Sequence, residues 1–548
     1  MASKTDATAE ALHFYQKQEF DKAIASLNSA IFVDATNAHA WFLLGTIYTQ
    51  QNSLPQAENA FRECLQCNGT LPDAHNNLGV VLQAQNKVVE AQQCYVNAIK
   101  FNPKYANALY NLGSIQQQNG DYDEALINYQ LALKYKPDYA KALNNLAMVY
   151  QTKGKSQKAI PLYEKALRYA VDDPEILNNL GYSHFCAYDY QKALEYYQAA
   201  LAQHPDFAPV INNIGLLLQS TGDYQSAKSY FTKAAEHPEY FASAMNNLAQ
   251  LDLGNLEFTS GWDFYQHRAS VRMNRQHFAQ SIEIDLSNKT ILLHRDQGLG
   301  DEIFFSRYIP LLLTRGANVS IMSDPRIADL FQRCFPTCQV VHHVAKNHQF
   351  DYVVSIADLP RLLQHTSDDP LPPATSITPL HKNVETINNL LPNNNRINIA
   401  INWQAGVQGQ NKLFKRIPPE KLGKMLRFVD ANILILQRNP SNQDIKALEK
   451  NLHKKAFNYA FMNESLEDTI AILSQVDQYI GVSSTNIHLL AGLAKTTHVF
   501  VPHPPEWRWL HTSESSPWFP EFKIYRQDIS GTWDNAFNQC HNDILETT

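Results

Sequence analysis

Cysteine is scarce in this chain, seven in 548 residues and an odd number. That excludes a disulfide framework as the source of stability, so all seven are expected to be reduced. Cys64 and Cys67 form a lone Cys-x-x-Cys without a second ligand pair at zinc-site spacing. Clustered positive charge is missing too: no run of five Lys or Arg occurs and the formal net charge is −7, which argues against nucleic acid as a partner. No uninterrupted apolar stretch of about 18 residues is present, and the opening MASKTDATAE has no apolar core of a signal peptide. The expectation is a cytoplasmic protein without membrane insertion. No Gly-Lys-Ser/Thr follows a glycine-rich loop, and the Asp-x-Asp formed by Asp121 and Asp123 falls between helices of a repeat, so neither a Walker loop nor a metal site is expected. What is present, 44% hydrophobic and 18% charged residues over 548 positions, suffices for two or three globular cores.

A small residue recurs every 34 positions, at Ala11, Gly45, Gly79, Gly113, Ala147, Gly181, Gly215 and Ala249. A second series follows the same period at Ala23, Ala57, Ala91, Ala125, Ala159, Ala193 and Ala227, and Pro103, Pro137 and Pro205 mark unit ends. This is the tetratricopeptide-repeat (TPR) pattern, antiparallel helix pairs whose small residues let two backbones approach and which bury their apolar faces by stacking. About seven repeats are expected over residues 1–253, an α-helical superhelix, followed by a connector helix over 254–288.

Asn77, Asn111, Asn145, Asn179, Asn213 and Asn247 each lie two positions before the small residue. Six carboxamides in register on the first helix of each pair suit the N–H and C=O groups of an extended peptide, since a carboxamide both donates and accepts. The alternative is that they tie neighbouring repeats together. The series resembles the asparagine ladder of the O-GlcNAc transferase superhelix, over roughly residues 5 to 253.

Beyond Ala249 the period stops. Residues 290–294, 319–322 and 350–354 read as strands of an α/β lobe over 289–390, with a helix running from Asp301 to a stop at Thr314–Gly316. A second lobe over 391–548 carries strands at 397–402, 433–436, 478–482 and, as the last, 497–501. The Pro- and Asn-rich stretch from Pro370 to Asn395, with its helix, reads as the junction. Two Rossmann-like lobes place their loops around a common cleft, because ligands bind beyond the carboxyl ends of parallel strands.

The loop from Asp296 to Glu302 follows a strand and opens a helix, with Gly298 and Gly300 allowing close approach of an acceptor and Glu302 beside it. Asp301 is either a general base for an attacking hydroxyl or a helix N-cap or first-turn acid favoured by the macrodipole. In the second lobe Ser483, Ser484, Thr485 and Asn486 bring hydroxyls, a carboxamide and N–H groups to a helix N-terminus, a seat for a diphosphate. His488 in the first turn is either a donor to that phosphate or a core histidine. Lys415 and Arg416, after the Trp403–Gln404 loop, are placed to neutralise a leaving diphosphate or to lie on the surface. Gln437 completes the donor-binding candidates, and the clustered Trp507, Trp509 and Trp518 either pack a core or stack on a base.

The run from Gly298 to Tyr308, the Lys415–Pro418 loop, the segment Gly481–Gly492, and the tail carrying Trp507, Trp509, Trp518, Arg526 and Gln527 resemble TPR-linked relatives of bacterial heptosyltransferases, over most of residues 289–530. The resemblance implies a GT-B fold, Asp301 as base, Lys415 as stabiliser of the leaving group, and Ser484 with His488 as phosphate contacts. Where that family usually shows Val-Asp-Thr, this chain has Val482, Ser483 and Ser484. The function implied is inverting, metal-independent transfer of a sugar from a nucleotide-sugar co-substrate to a Ser/Thr hydroxyl of a protein held in the TPR groove. Similar TPR-fused transferases are associated with flagellin, an acceptor suggested by analogy. The alternatives are a lipid or saccharide transferase of envelope assembly, and a scaffold whose second half has lost catalysis.

Overall fold

Antiparallel helix pairs of 11 to 14 residues per helix open the chain, and each turn between them follows from local chemistry. In the computed structural model, which describes residues 4–268, 277–343, 349–405 and 415–546, two compact units divide at Pro205 and Asp206. The first unit holds six helix pairs among its described residues, from Lys4–Gln16 to Tyr190–Gln203. Helices Val88–Phe101, Tyr122–Tyr135 and Tyr190–Gln203 stop two residues before Pro103, Pro137 and Pro205, as expected where proline cannot continue a helix.

The small-residue register has a partner that pattern reading did not pick out. Sixteen positions after each glycine lies an aromatic ring: a Cβ on Gly79 would stand 2.6 Å from Tyr95 Cε1, and one on Gly113 2.9 Å from the corresponding atom of Tyr129. The glycine is therefore a socket for the ring of the second helix. Tyr95, Tyr129 and Tyr163 then donate their hydroxyls to Gln83, Gln117 and Gln151 at 2.9, 2.7 and 2.9 Å, which satisfies each buried phenol inside its own pair.

The second unit begins with two further pairs, Ala208–Thr221 with Tyr224–Ala234 and Phe241–Gly254 with Phe258–Tyr265. The helix expected to connect the two halves over 254–288 is confined to Phe258–Tyr265 among the described residues. It pairs with Phe241–Gly254 as a repeat would, residues 269–276 lie outside the described residues, and 277–288 contain no α-helix or strand.

Two all-parallel sheets follow. The first contains β1 (Thr290–His294), β2 (Asn318–Met322), β3 (Gln339–Val341) and β4 (Tyr352–Ser355) in the order β3-β2-β1-β4. The second contains β5 (Ile397–Ile401), β6 (Ala431–Ile435), β7 (Phe457–Asn458), β8 (Gln478–Val482), β9 (Thr497–Val501) and β10 (Phe522–Arg526) in the order β10-β9-β8-β5-β6-β7. The short strands β3 and β7 and the edge strand β10 are additions to the sequence reading, which ended the sheet at residue 501. The single helix expected from Asp301 to Thr314 is instead Leu299–Phe305, a 3₁₀ turn Ser306–Tyr308 and Ile309–Thr314. Pro310 lacks the N–H that a continuous helix would need and sits in the first turn of the last piece. The junction helix, His381–Leu390, packs on helix Leu466–Gln475 of the second lobe, with Asn383 donating to Asp468 at 2.7 Å.

One apolar cluster unites the last repeat with both sheets. Ala249, Leu253, Phe258 and Trp262 share it with Phe304, Phe305, Trp507 and Trp518. Trp262 meets Trp507 edge-on at 5.4 Å between centroids. His511 Nε2 donates to Leu251 O at 3.2 Å, Trp507 N–H donates to Gln250 Oε1 at 3.3 Å, and His503 Nε2 donates to Ser220 O at 2.7 Å.

Candidate functional site

The order of strands decides where a ligand can enter. In the first sheet the order reverses between β1 and β4, and in the second between β5 and β8. At such switch points the loops leaving the carboxyl ends diverge and open a crevice. The loop after β1 is Arg295–Gly298, the one after β5 begins at Asn402, and the one after β8 is Ser483–Ser484. Gly481 is required beside them, because a Cβ there would stand 1.9 Å from Asn402 Oδ1, which accepts from Val482 N–H at 3.1 Å.

These loops border a cleft of about 1260 Å³. It brings together Gly298, Gly300, Asp301, Trp403, Gln404, Lys415, Gln437, Ser483, Ser484, Thr485, Asn486 and His488, residues from four separate stretches of sequence. Asn246 and Gln250 of the last repeat and Tyr265 of its second helix line it as well. Tyr265 continues the aromatic register 34 residues after Phe231, but its hydroxyl accepts from Gln297 Nε2 at 3.0 Å, on the loop after β1.

Asp301 lies in the first turn of Leu299–Phe305. It is not the N-cap, which is Gly298. Its Oδ1 accepts from Arg508 Nη2 at 2.6 Å, so the carboxylate is oriented by a cation from the C-terminal tail. Burial would depress the Arg508 guanidinium, but Asp301, Tyr265 and Glu506 outweigh it and hold it above its ordinary value. Gly300 packs against His488, to which a Cβ would come within 3.0 Å, whereas Gly298 has open space around it.

Lys415 lines the cleft and forms an ion pair with Glu506, whose other oxygen accepts from Ser483 Oγ at 3.0 Å. An acid therefore does reach Ser483, delivered by a segment 23 residues away. Glu506 is held below the usual carboxylate range: burial opposes ionisation, but Lys415 and Arg508 prevail. His488 is 8% exposed and packs between Phe304 and Phe519. Burial, then Arg508, Arg307 and Lys415, push its pKa well below the ordinary histidine value, so it enters the site as a neutral imidazole. Its Nδ1 has no hydrogen-bond partner among the described residues.

Two sequence expectations, Arg416 and Glu302, are corrected, and a third candidate, Gln437, holds a neighbouring loop as well as lining the cleft. Arg416 is outside the cleft lining; its guanidinium is committed to Asp444 at 2.7 Å and Gln404 at 3.1 Å. Gln437 lines the cleft, but its Oε1 accepts from the N–H groups of Trp403 and Gln404 at 3.0 and 2.9 Å and its amide donates to Arg438 O, which makes it a clamp on the loop after β5. Glu302 turns away from the cleft into a separate cavity of about 360 Å³ with His294, Arg295, Asp324 and Arg326; burial pushes its carboxyl up to about 7. Trp507, Trp509 and Trp518 are all buried in the common core, and Trp507 also borders the cleft.

Pattern reading passed over two side chains, Glu506 and Arg508. Both sit in a Pro- and Trp-rich tail that carried part of the resemblance, without a role for either residue. At the loop after β1, Arg268 donates to Asp296 at 2.7 Å, to Asp358 at 2.6 Å and to Ser355 at 2.9 Å.

Of the ladder asparagines, Asn111 donates to Asn76 at 2.9 Å, Asn179 to Asn144 at 3.1 Å and, in the second unit, Asn247 to Asn212 at 2.9 Å. Asn145 donates to the hydroxyls of Tyr110 and Tyr129, and Asn77 accepts from Asn76 at 3.2 Å. The inter-repeat tie is thus a visible job of this series. All six, Asn213 included, are half-buried.

Sequence comparison matches these helix pairs to tetratricopeptide-repeat models over residues 8–72, 70–138, 104–170, 144–206 and 208–236. The chain carries tetratricopeptide repeats. Such repeats generally mediate binding between proteins. The chain is also 22% identical over 320 residues to Protein FlbA of Caulobacter vibrioides, an alignment covering 50% of each protein; it spans about half the length of that curated relative. Among solved structures, PilW, a type IV pilus biogenesis factor, shares 22% identity over 37% of this chain and 95% of its own, with a TM-score of 0.34. A tetratricopeptide repeat protein from Parabacteroides merdae shares 16% identity over 45% of this chain and 97% of its own, with a TM-score of 0.37. Among the described residues no helix is long and apolar enough to cross a membrane.

Proposed function

We propose that the protein is a GT-B-type glycosyltransferase that moves a sugar from a nucleotide-sugar to a Ser/Thr hydroxyl of a protein bound by the repeats, acting in the cytoplasm. The observation that carries this reading is that Asn246 and Gln250 of the last repeat line the same cleft as Asp301, Lys415 and His488. An acceptor segment leaving that repeat therefore enters the cleft where a base and an anion seat stand.

In a single displacement the acceptor oxygen attacks the anomeric carbon as the bond to the phosphate oxygen breaks, and the hydroxyl proton passes to Asp301. Arg508 fixes the orientation of that carboxylate. The departing diphosphate is met by the N–H groups at the start of helix Thr485–Gly492, by Lys415 and by a neutral His488 donor. No metal is assigned to this step. Flagellin is the acceptor to try first, by analogy with TPR-fused transferases. The engagement of Lys415 by Glu506 and of Asp301 by Arg508 favours a second reading, a scaffold in which those pairs have become structural.

A panel of nucleotide-sugars tests the choice, with donor binding and nucleotide release measured for wild type and Asp301→Asn in the presence of acceptor protein. The transferase reading expects one donor to bind both proteins and only wild type to turn it over, with Asp301→Asn slower by roughly 10²-fold or more. Absence of donor binding to both leaves the scaffold.

A further inference from the structure

Glu506 occupies an unusual position for an acid. Its carboxylate lies at the lip of a helix N-terminus, is 17% exposed, and spans two groups from different loops, the Lys415 ammonium and the Ser483 hydroxyl. Two of the cations around it are already matched, Lys415 with Glu506 and Arg508 with Asp301. Meanwhile donors suited to an anion remain: the N-cap Ser484 makes no side-chain cap to helix Thr485–Gly492, and the Nδ1 of His488 and Nε of Arg508, both on residues more than nine-tenths buried, have no partner among the described residues. The seat thus has the donors for a diphosphate but holds a protein carboxylate on Lys415, the one lysine that lines the cleft among the described residues.

We propose that Glu506 is a place-holding carboxylate that yields Lys415 to an incoming diphosphate and reclaims it afterwards, so that it competes with the bound product and shortens its stay. This rests on reading the cleft as a diphosphate site. The exchange needs no covalent step: Lys415 swings from one anion to another, while Ser483 keeps its hydrogen bond to Glu506 and holds the carboxylate nearby. Because Glu506 and Arg508 flank Trp507 in one short tail segment, the same segment sets both the anion seat and the orientation of Asp301. Glu506 is in these terms a positioning residue, acting on product release through Lys415.

The test measures binding of inorganic pyrophosphate to the full chain by calorimetry at low salt, where no choice of sugar or nucleoside enters. Glu506→Gln keeps an oxygen to accept from Ser483 and frees Lys415, so the expected result is a Kd at least tenfold lower than that of wild type. Lys415→Met in the Glu506→Gln background should abolish that gain. A purely structural role for Glu506 predicts the opposite sign, weaker binding on substitution, and that result overturns the proposal. Equal binding, or no binding by either protein, overturns it as well. Glu506→Asp, which keeps the charge, guards against a folding artefact: it should stay within threefold of wild type, and tightening equal to that of the Gln variant would refute competition by charge. Loss of the transferase reading shows separately, as absent sugar transfer with the pyrophosphate difference intact.

Discussion

Replacing Arg268 by methionine probes the support of the loop after β1. Arg268 is 2% exposed and sits between two buried acids, donating to Asp296 through Nε at 2.7 Å and to Asp358 through Nη1 at 2.6 Å, with Tyr265 O at 3.0 Å as a third acceptor. Burial alone would lower its pKa, yet Asp358 and Asp296 together hold it above the ordinary arginine value, so the cation is the element that makes both carboxylates tolerable. Methionine fills much of the volume and removes the charge. Breaking a buried pair by deleting one partner costs about 3 to 5 kcal/mol, and with two acids orphaned the upper end applies. The deficit should shrink as pH falls, since an orphaned buried carboxyl has a raised pKa and is neutralised first. Six of the seven tryptophans follow Asp206, so urea unfolding followed by tryptophan fluorescence reports on the second unit. The decisive variant carries Arg268→Met with Asp296→Asn and Asp358→Asn. Replacing a whole buried ion set by neutral groups is often close to neutral, so this variant should recover most of the loss, to within about 2 kcal/mol of wild type. A triple variant no more stable than the single one would refute the electrostatic account and leave packing as the cause.

Two further outcomes follow from the same geometry. Glu302 has a folded pKa raised from 4.5 to about 7 by burial. Its contribution is fully present below pH 4.5 and lost as pH rises through 7, a fall of roughly 3 kcal/mol at one proton's slope. Glu302→Gln should therefore be more stable than wild type at pH 8 and equal to it at pH 4, read as the difference between the two unfolding curves; parallel curves would contradict the burial argument. Gly254→Ala would place a Cβ 2.3 Å from His511 Nε2, where the ring also stacks on Tyr224 at 4.6 Å. Overpacking of this kind costs about 1 to 3 kcal/mol, and His511→Ala in the same chain should relieve it, whereas an unchanged melting point for Gly254→Ala would show that the weld between last repeat and tail gives way freely.

The repeat array was legible in the sequence because its physics is local and periodic. Gly79, Gly113 and Gly181 must admit a ring from the next helix, and the same demand returns every 34 residues, so the pattern declares itself. Most strands were legible for a related reason: β5, β6, β8 and β9 are buried on both faces and read as apolar runs, while β3 and β10 lie at sheet edges and β7 has only two residues, too exposed or too short to stand out. The residues of Asp301, Lys415 and His488 could be named from loop chemistry, because glycine-rich turns and helix N-termini carry their own signature.

What the sequence left open was which charges would find each other. Asp301 and Arg508 are 207 positions apart and Lys415 and Glu506 are 91 apart; only the two sheets with their switch points facing one cleft bring them into contact. The diversion of Arg416 to Asp444, of Gln437 to the Trp403 and Gln404 amides, and of Glu302 into its own cavity were likewise decided by tertiary packing. A charged or amide side chain is committed by whichever partner the fold sets within hydrogen-bond reach, and spacing along the chain does not encode that partner. Periodic burial is written residue by residue, whereas the electrostatics of a cleft exists only once distant loops have been assembled around it.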